Sequence, residues 1–346
     1  MSAETGVNER IHAVARIEDA YTAFRARISR FKGKVPTVAV FRGYGGKDFV
    51  RVLARVLYVD KDPKTKKMRR LVRGWRAFVA VPVAGCEVTV RIGEQRFTLT
   101  SDRGGVIDET IKLNLPPGRH TVMMRAGKGR GWAQNEITVS DPKSNFGIVC
   151  DVDDTVMVTA LPRILLAAWN TFVLDEHARR PVPGMAVLLN KFGAQYPNAM
   201  TFYLSTGPWN IAPTLERFLS RHMYPRGPFL LTDWGATPER AFRSGREHKR
   251  ESLKRLALEF PDTKWVLVGD DGQHDEKIYG EFARQNPGRV LAVVIRQLST
   301  PEAVLAGSNP VHPEPAAGTT WVYGHNGAEI AEKLFKAKIL GGNLRH

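Results

Sequence analysis

The chain has 346 residues, with 51 Lys or Arg against 35 Asp or Glu and a formal net charge of +16. That length fits about two domains, the 43% apolar fraction supplies their cores, and the charge implies attraction to polyanions, either nucleic acid or an anionic membrane. No stretch approaches the roughly 18 apolar residues of a membrane span, the first residues hold no apolar signal core, and the cysteines, Cys86 and Cys150, make neither a disulfide framework nor a zinc site, which fits a reducing cytoplasm.

Residues 1–34 form the first predicted element. Ile11, Val14, Ile17, Tyr21, Phe24 and Ile28 recur at helical spacing with arginines between them. Two readings stay open: a helix packed on its own domain, and a basic membrane-surface helix. Residues 35–142 read as a β domain, with strands over 35–41, 49–59, 75–83, 87–92, 95–100, 108–113 and 120–125. Turn residues separate them, and Gly43-Tyr44-Gly45 reads as a tight turn in preference to a ligand loop. Short strands at that spacing predict an antiparallel β-sandwich. A loop within it carries Lys61, Lys64, Lys66, Lys67, Arg69 and Arg70 and runs on to Arg73 and Arg76. It is either a solvated hairpin tip or a contact for an anionic surface.

From residue 143 to 346, strands alternate with helices. Strands are predicted at 147–150, 201–204, 229–231, 265–269 and 290–295, and helices at 162–178, 185–192, 211–222, 246–260, 274–285 and 328–336. Residues 307–318, with three prolines, read as a loop. This alternation predicts a Rossmann-like parallel sheet covered on both faces, with ligands at the carboxyl ends of its strands.

Three apolar runs end in polar groups at that edge. Ile148-Val149-Cys150 leads into Asp151-Val152-Asp153-Asp154-Thr155. In an extended chain Asp151 and Asp153 point to one side. Two such carboxylates stay ionised most easily beside a cation, and Mg²⁺ favours oxygen ligands. The competing reading is an acidic cap on a following helix. The second run, Phe202-Tyr203-Leu204, ends in Ser205 and Thr206, and the third, Trp265 to Gly269, ends in Asp270, Asp271 and then Asp275. Between them lies the helix of Lys249, with Lys254 as its rival. Lys249 is favoured because it lies nearer the predicted N-terminal end, where exposed N–H groups also attract an anion. His248 and His274 read as neighbours of the site rather than parts of it.

In order, these motifs resemble the haloacid dehalogenase-like phosphatase superfamily. DVDDT, the STGPWN run from Ser205 to Asn210, and GDDGQHD followed by Ile278-Tyr279 are similar to the actin-patch-protein type of phosphatidate phosphatase, a lipin-related family. The similarity covers about 145–296. One departure is Asp271, where the family more often has Ser. The resemblance implies a haloacid dehalogenase-like catalytic domain that hydrolyses phosphatidate to diacylglycerol and phosphate through an aspartyl-phosphate. It places the nucleophile at Asp151 and the general acid/base at Asp153. It gives Mg²⁺ to Asp151, Asp270 and Asp275 with the backbone carbonyl of Asp153, and leaves Asp271 as a substitute ligand. Ser205, Thr206 and Lys249 would bind the phosphoryl group, and Thr155 would steady the loop beside it. The apolar segment 161–174, with Trp169 and Phe172, would be either a helix packed on the sheet or an apolar lip for acyl chains. The expected setting is cytoplasmic, at the periphery of an anionic membrane, with no specific nucleic acid. Two alternatives remain: a phosphatase of polynucleotide ends or soluble phosphomonoesters, and a non-catalytic phosphatidate-binding module, against which the presence of both Asp151 and Asp153 argues.

Overall fold

The computed structural model describes residues 27–29, 31–60, 81–127, 131–141, 143, 145–158, 180–232, 238–272, 274–306 and 318–341. Most of the N-terminal helix, the Lys61 to Arg76 cluster, the 161–174 segment with Trp169 and Phe172, and most of the 307–318 loop lie outside them.

The C-terminal half is built on six parallel strands. They are β9 (Phe146–Asp151), β12 (Met200–Pro208), β13 (Phe229–Thr232), β14 (Lys264–Asp270), β15 (Val290–Arg296) and β16 (Thr320–Gly324). Their order across the sheet is β13-β12-β9-β14-β15-β16. Every residue of β9 is buried, so both faces of the sheet are covered there. That explains its unbroken apolar run. The helix Met185–Gln195 packs on Gly327–Lys336, and Pro238–Glu259 packs on Asp275–Gln285. From β9 the chain steps outward to β12 and β13, then returns to β14 and continues through β15 to β16. The order therefore reverses between β9 and β14. In open parallel sheets such a reversal opens a crevice beyond the strand ends, where ligands bind.

The five predicted strands of the parallel sheet are present with shifted ends, and a sixth, β16, which the sequence reading did not name, pairs with β15 at its edge. Strand β12 runs on to Pro208. The Lys249 helix begins at Pro238, not at 246. Gly245 lies inside the helix, where the missing side chain lets the helix press closely on β12. A Cβ there would lie 3.0 Å from Thr206 Cγ2.

The N-terminal region is mainly antiparallel. Its strands are β1 (Val35–Val40), β2 (Gly43–Gly45), β3 (Phe49–Val59), β4 (Glu87–Ile92), β5 (Gln95–Thr100), β6 (Val106–Lys112), β7 (Gly118–Ala126) and β8 (Ala133–Val139). A sandwich of separate sheets is not what the described residues form. They make one eight-stranded sheet in the order β1-β3-β2-β8-β7-β4-β5, with β6 beside β3. The sheet folds over itself. Val50 and Val52 share a core with Val88, Val90, Val122 and Met124, and the Asn135 side chain donates to the Val40 carbonyl at 2.8 Å. The expected tight turn at Gly43–Gly45 is instead the strand that joins the two halves, antiparallel to β3 and parallel to β8. A Cβ on Gly45 would sit 2.7 Å from the Phe49 carbonyl oxygen, so the glycines serve close backbone approach.

The two sheets meet through a shared core. Phe41, Tyr44, Leu53 and Val106 belong to the same buried cluster as β9, β12 and β14. The Tyr44 ring meets Phe202 edge-on at 5.1 Å, and its hydroxyl donates to Glu259 at 2.8 Å. Arg51 lies between Asp108 at 2.5 Å and Glu259 at 3.1 Å. Arg255 reaches the same Asp108 at 3.1 Å. Among the described residues no helix is long and apolar enough to cross a membrane.

Candidate active site

Asp151 ends β9 and is buried. The chain beyond it turns tightly: Asp154 N–H donates to the Met157 carbonyl at 2.9 Å, and Val156 N–H to the Val152 carbonyl at 3.0 Å. The turn puts Asp154 at φ 57, in the left-handed region that Asp tolerates better than most side chains. A short ribbon follows, β10 (Met157–Val158) against β11 (Arg180–Pro181), with Met157 opposite Pro181. Next to β9, Ser205 on β12 is buried. Its hydroxyl donates to Asp153 Oδ2 at 3.0 Å and accepts from Gly207 N–H at 3.0 Å. On the other side, Asp270 ends β14. Its Oδ1 accepts from Gly272 N–H at 2.8 Å, and its Oδ2 stands 3.5 Å from Thr155 Oγ1. Asp275 opens the helix Asp275–Gln285, where the helix dipole favours a carboxylate. Lys249, 2% exposed, bridges Asp151 at 2.6 Å and Asp275 at 2.5 Å.

Oxygens of Asp151, Asp270 and Asp275 lie within 4.8 Å of one another, and all three residues are buried. Burial pushes Asp151 well above the usual carboxylate range, against the pull of Lys249. Burial and the charge of Asp275 do the same to Asp270. Burial opposes the charge on Lys249, but Asp151, Asp275 and Asp270 outweigh it and hold the ammonium above its ordinary range. One lysine against three buried carboxylates leaves excess negative charge. Asp151 Oδ2 and Asp275 Oδ2 are buried and accept no hydrogen bond among the described residues. Carboxylate oxygens left open beside like charges fit a divalent cation, and an all-oxygen donor set suits a hard one.

Seven residues named from sequence therefore converge: Asp151, Asp153, Thr155, Ser205, Lys249, Asp270 and Asp275. The carboxylate of Asp153 faces Ser205 rather than joining the triad of acids. The others stand apart. Thr206 gives its carbonyl to the Thr232 hydroxyl at 3.0 Å and has no described contact with the acids. Asp271 turns away and accepts from Leu298 N–H at 2.9 Å, so it does not stand in for Asp270 or Asp275 in the acidic cluster. Lys254 and His274 are exposed. Lys249 is the nearer lysine, but the reason given for favouring it fails. It lies well inside the helix Pro238–Glu259, too far from the N-terminus for the exposed N–H groups to matter. It acts by reach alone. The residue that sequence reasoning missed is Arg296, a single cation closing the apolar run of β15. Its 5% exposure and its 2.7 Å bond to the Asp154 carbonyl tie it to this site.

His248, next to Lys249, has a different task. Its Nε2 lies 3.2 Å from the Leu230 carbonyl. A carbonyl only accepts, so Nε2 carries the proton. Burial holds the imidazole down from its ordinary 6.5 to about 4. The unfolded chain takes up a proton below about 6.5 that folded His248 refuses until about 4. Its contribution is full above the upper value and lost as pH falls across that window, on the order of 3 kcal/mol. His248→Gln should flatten the acid limb of stability between those values, as read from denaturant midpoints at a series of pH values.

Comparison with known proteins narrows what such a site is. Residues 146–297 match the family model described as the catalytic domain of phosphatidate phosphatase APP1. The chain is 28% identical over 169 residues to an uncharacterised protein of Schizosaccharomyces pombe, covering 47% of this chain and 27% of that protein. It is 26% identical over 152 residues to the phosphatidate phosphatase APP1 of Saccharomyces cerevisiae, covering 44% of this chain and 26% of that protein. The chain thus spans about a quarter of the length of these curated relatives. Among solved structures, a carbohydrate acetylesterase from Xanthomonas citri overlaps 79% of this chain and 73% of its own at 8% identity, and its TM-score of 0.28 carries no argument. The matched segment opens with β9, contains every acid of the buried cluster, and closes just after Arg296: over residues 146–297, the chain is similar to the APP1-type phosphatidate phosphatase catalytic domain.

Proposed function

We propose that the protein is a Mg²⁺-dependent phosphatase of lipid phosphomonoesters, with phosphatidate as the favoured substrate, and that residues 143–346 are a haloacid dehalogenase-like catalytic domain. The observation that carries this reading is the buried group of three carboxylates and one lysine at the sheet's reversal point, with two carboxylate oxygens left unpartnered. The name of the Saccharomyces cerevisiae relative supports the lipid substrate.

Phosphate monoesters resist hydrolysis because an anionic nucleophile must approach an anion. Mg²⁺, held by Asp151, Asp270 and Asp275, would neutralise phosphoryl oxygens and so lower that barrier. The remaining steps belong to the chain. Asp151 attacks phosphorus; the P–O bond to the alcohol breaks as the Asp151–phosphorus bond forms. Asp153 gives its proton to the departing alcohol oxygen, then takes one from the water that cleaves the aspartyl-phosphate and releases inorganic phosphate. Ser205, now bonded to Asp153, holds that carboxyl in place and lies on the strand end that a phosphoryl group would meet. Lys249 balances charge across Asp151 and Asp275 and offers its ammonium to a phosphoryl oxygen. The net charge of +16 suits a protein that works at the cytoplasmic face of an anionic membrane, where each basic side chain near the surface contributes about 1 kcal/mol.

Phosphate release should be measured with phosphatidate in vesicles, a 5′-phosphorylated oligonucleotide and a small soluble ester, each with Mg²⁺ and with EDTA. We expect phosphatidate to be preferred, EDTA to stop the reaction, and Mg²⁺ to restore it. Asp270→Ala should raise the Mg²⁺ requirement or end turnover. Preference for the oligonucleotide or the soluble ester would overturn the lipid assignment alone. Full activity after exhaustive chelation would overturn the metal assignment.

A further inference from the structure

Arg296 is the last residue of β15 and pairs in register with Asp270 of β14. It touches both acid-bearing loops. Its own carbonyl accepts from Asp271 N–H at 3.1 Å, in the loop after Asp270. Its side chain crosses to the other loop, where Nη1 donates to the Asp154 carbonyl at 2.7 Å. Nη2 meets Glu302 Oε1 at 2.7 Å, and Nε lies 3.4 Å from the His325 carbonyl. Glu302 is fixed in turn, since it accepts from Ser299 N–H at 2.8 Å and from the Ser299 hydroxyl at 2.7 Å. The guanidinium therefore has three acceptors in three directions, a geometry that its planar fork holds and an ammonium does not.

Position matters here because Asp154 is the pivot of the turn between the two candidate catalytic acids and Thr155. Its left-handed φ of 57 has to be maintained by its surroundings. The peptide that Arg296 grips joins Asp154 to Thr155, one residue beyond Asp153. We propose that Arg296 is a positioning residue that locks the Asp151–Thr155 loop onto the Asp270–Gly272 loop and so sets Asp153 in register with Asp151. It touches neither the substrate nor the reacting atoms. The catalytic half of this inference rests on the phosphatase reading above; the structural half does not.

The test uses the full chain and two readouts. The first is amide hydrogen exchange over 152–157, where Asp154, Val156 and Met157 donate within the turn. Arg296→Ala should speed opening there by about ten- to a hundredfold, the weight of one charge-assisted hydrogen bond, and leave β12 and β13 unchanged. Guanidinium ion, far below denaturing concentrations, should slow it again. The second readout is turnover of a soluble phosphate ester. Arg296→Ala should lower kcat by roughly 10²-fold, the cost of a small misplacement, with KM little changed, and guanidinium should restore part of it. Should Arg296→Ala fail to fold, Arg296→Lys serves in its place, with a smaller change in the same two readouts and no rescue. Local exchange equal to wild type, or faster exchange spread evenly over the sheet, would overturn the clamp. Faster local exchange with unchanged kcat would overturn the catalytic role. A wild-type protein that releases no phosphate from any ester would sink the phosphatase reading, while the exchange result would still decide the clamp.

Discussion

Asp151→Asn should reduce phosphate release by at least about 10³-fold, because an amide does not attack phosphorus and the covalent route is closed. The protein should stay folded. Asp151 is buried with Asp270 and Asp275 beside it, so loss of one negative charge relieves repulsion, and Lys249 keeps Asp275 as a partner. A steady-state assay beside a denaturant titration separates the two effects. Activity within a few-fold of wild type would show that the acid at the end of β9 is not the nucleophile.

Lys249→Met should have the second-largest effect, and it should act on both rate and stability. One electrostatic partner of a developing phosphoryl charge is worth about 10²–10³-fold in rate. Removal of the ammonium also strips Asp151 and Asp275 of their shared cation, and an unpartnered buried charge costs about 3–5 kcal/mol. Two physical responses follow. The carboxylates take up protons, or a metal takes the place of the missing charge. Destabilisation should therefore be large in EDTA and much smaller in Mg²⁺, as read from unfolding midpoints of the variant in the two buffers. Equal destabilisation in both would mean that no metal binds beside Asp151, Asp270 and Asp275.

The acids were legible because they stand where an apolar strand stops. A buried strand announces itself by composition, and a carboxylate that ends one has few ordinary uses. Asp151 and Asp270 could be named for that reason, and Ser205 likewise. Lys249 was harder. What separates it from Lys254 is helical phase: Lys249 stands four residues before Leu253 and seven before Leu256, on the buried stripe, whereas Lys254 is exposed. The helix also starts earlier than predicted, at Pro238, and Gly245 within it lies against Thr206, a contact that no local pattern contains. Asp271 was misjudged for a related reason. Successive residues beyond a strand point in opposite directions, so Asp270 enters the cluster while Asp271 reaches Leu298. In the first sheet, β8 escaped notice because Ala133-Gln134-Asn135-Glu136 carries little apolar signal. It is held by neighbours on both sides, and pairing overrides propensity there. Arg296 left only a faint trace, since its meaning depends on Asp154, a residue far away along the chain.

The family match begins at residue 146, yet the packing does not respect that line. Phe41 stacks on Trp209 at 4.9 Å, only a short step from Ser205, and Arg42 meets Glu216 at 3.0 Å. Arg51 and Asp108 hold the far end of the helix that carries Lys249. The matched region is thus not a portable module. Its transplantation alone would strip Trp209 of its stacking partner and leave Glu259 and Arg255 facing water, so the unit that could be moved intact is larger than the segment that the family model matches.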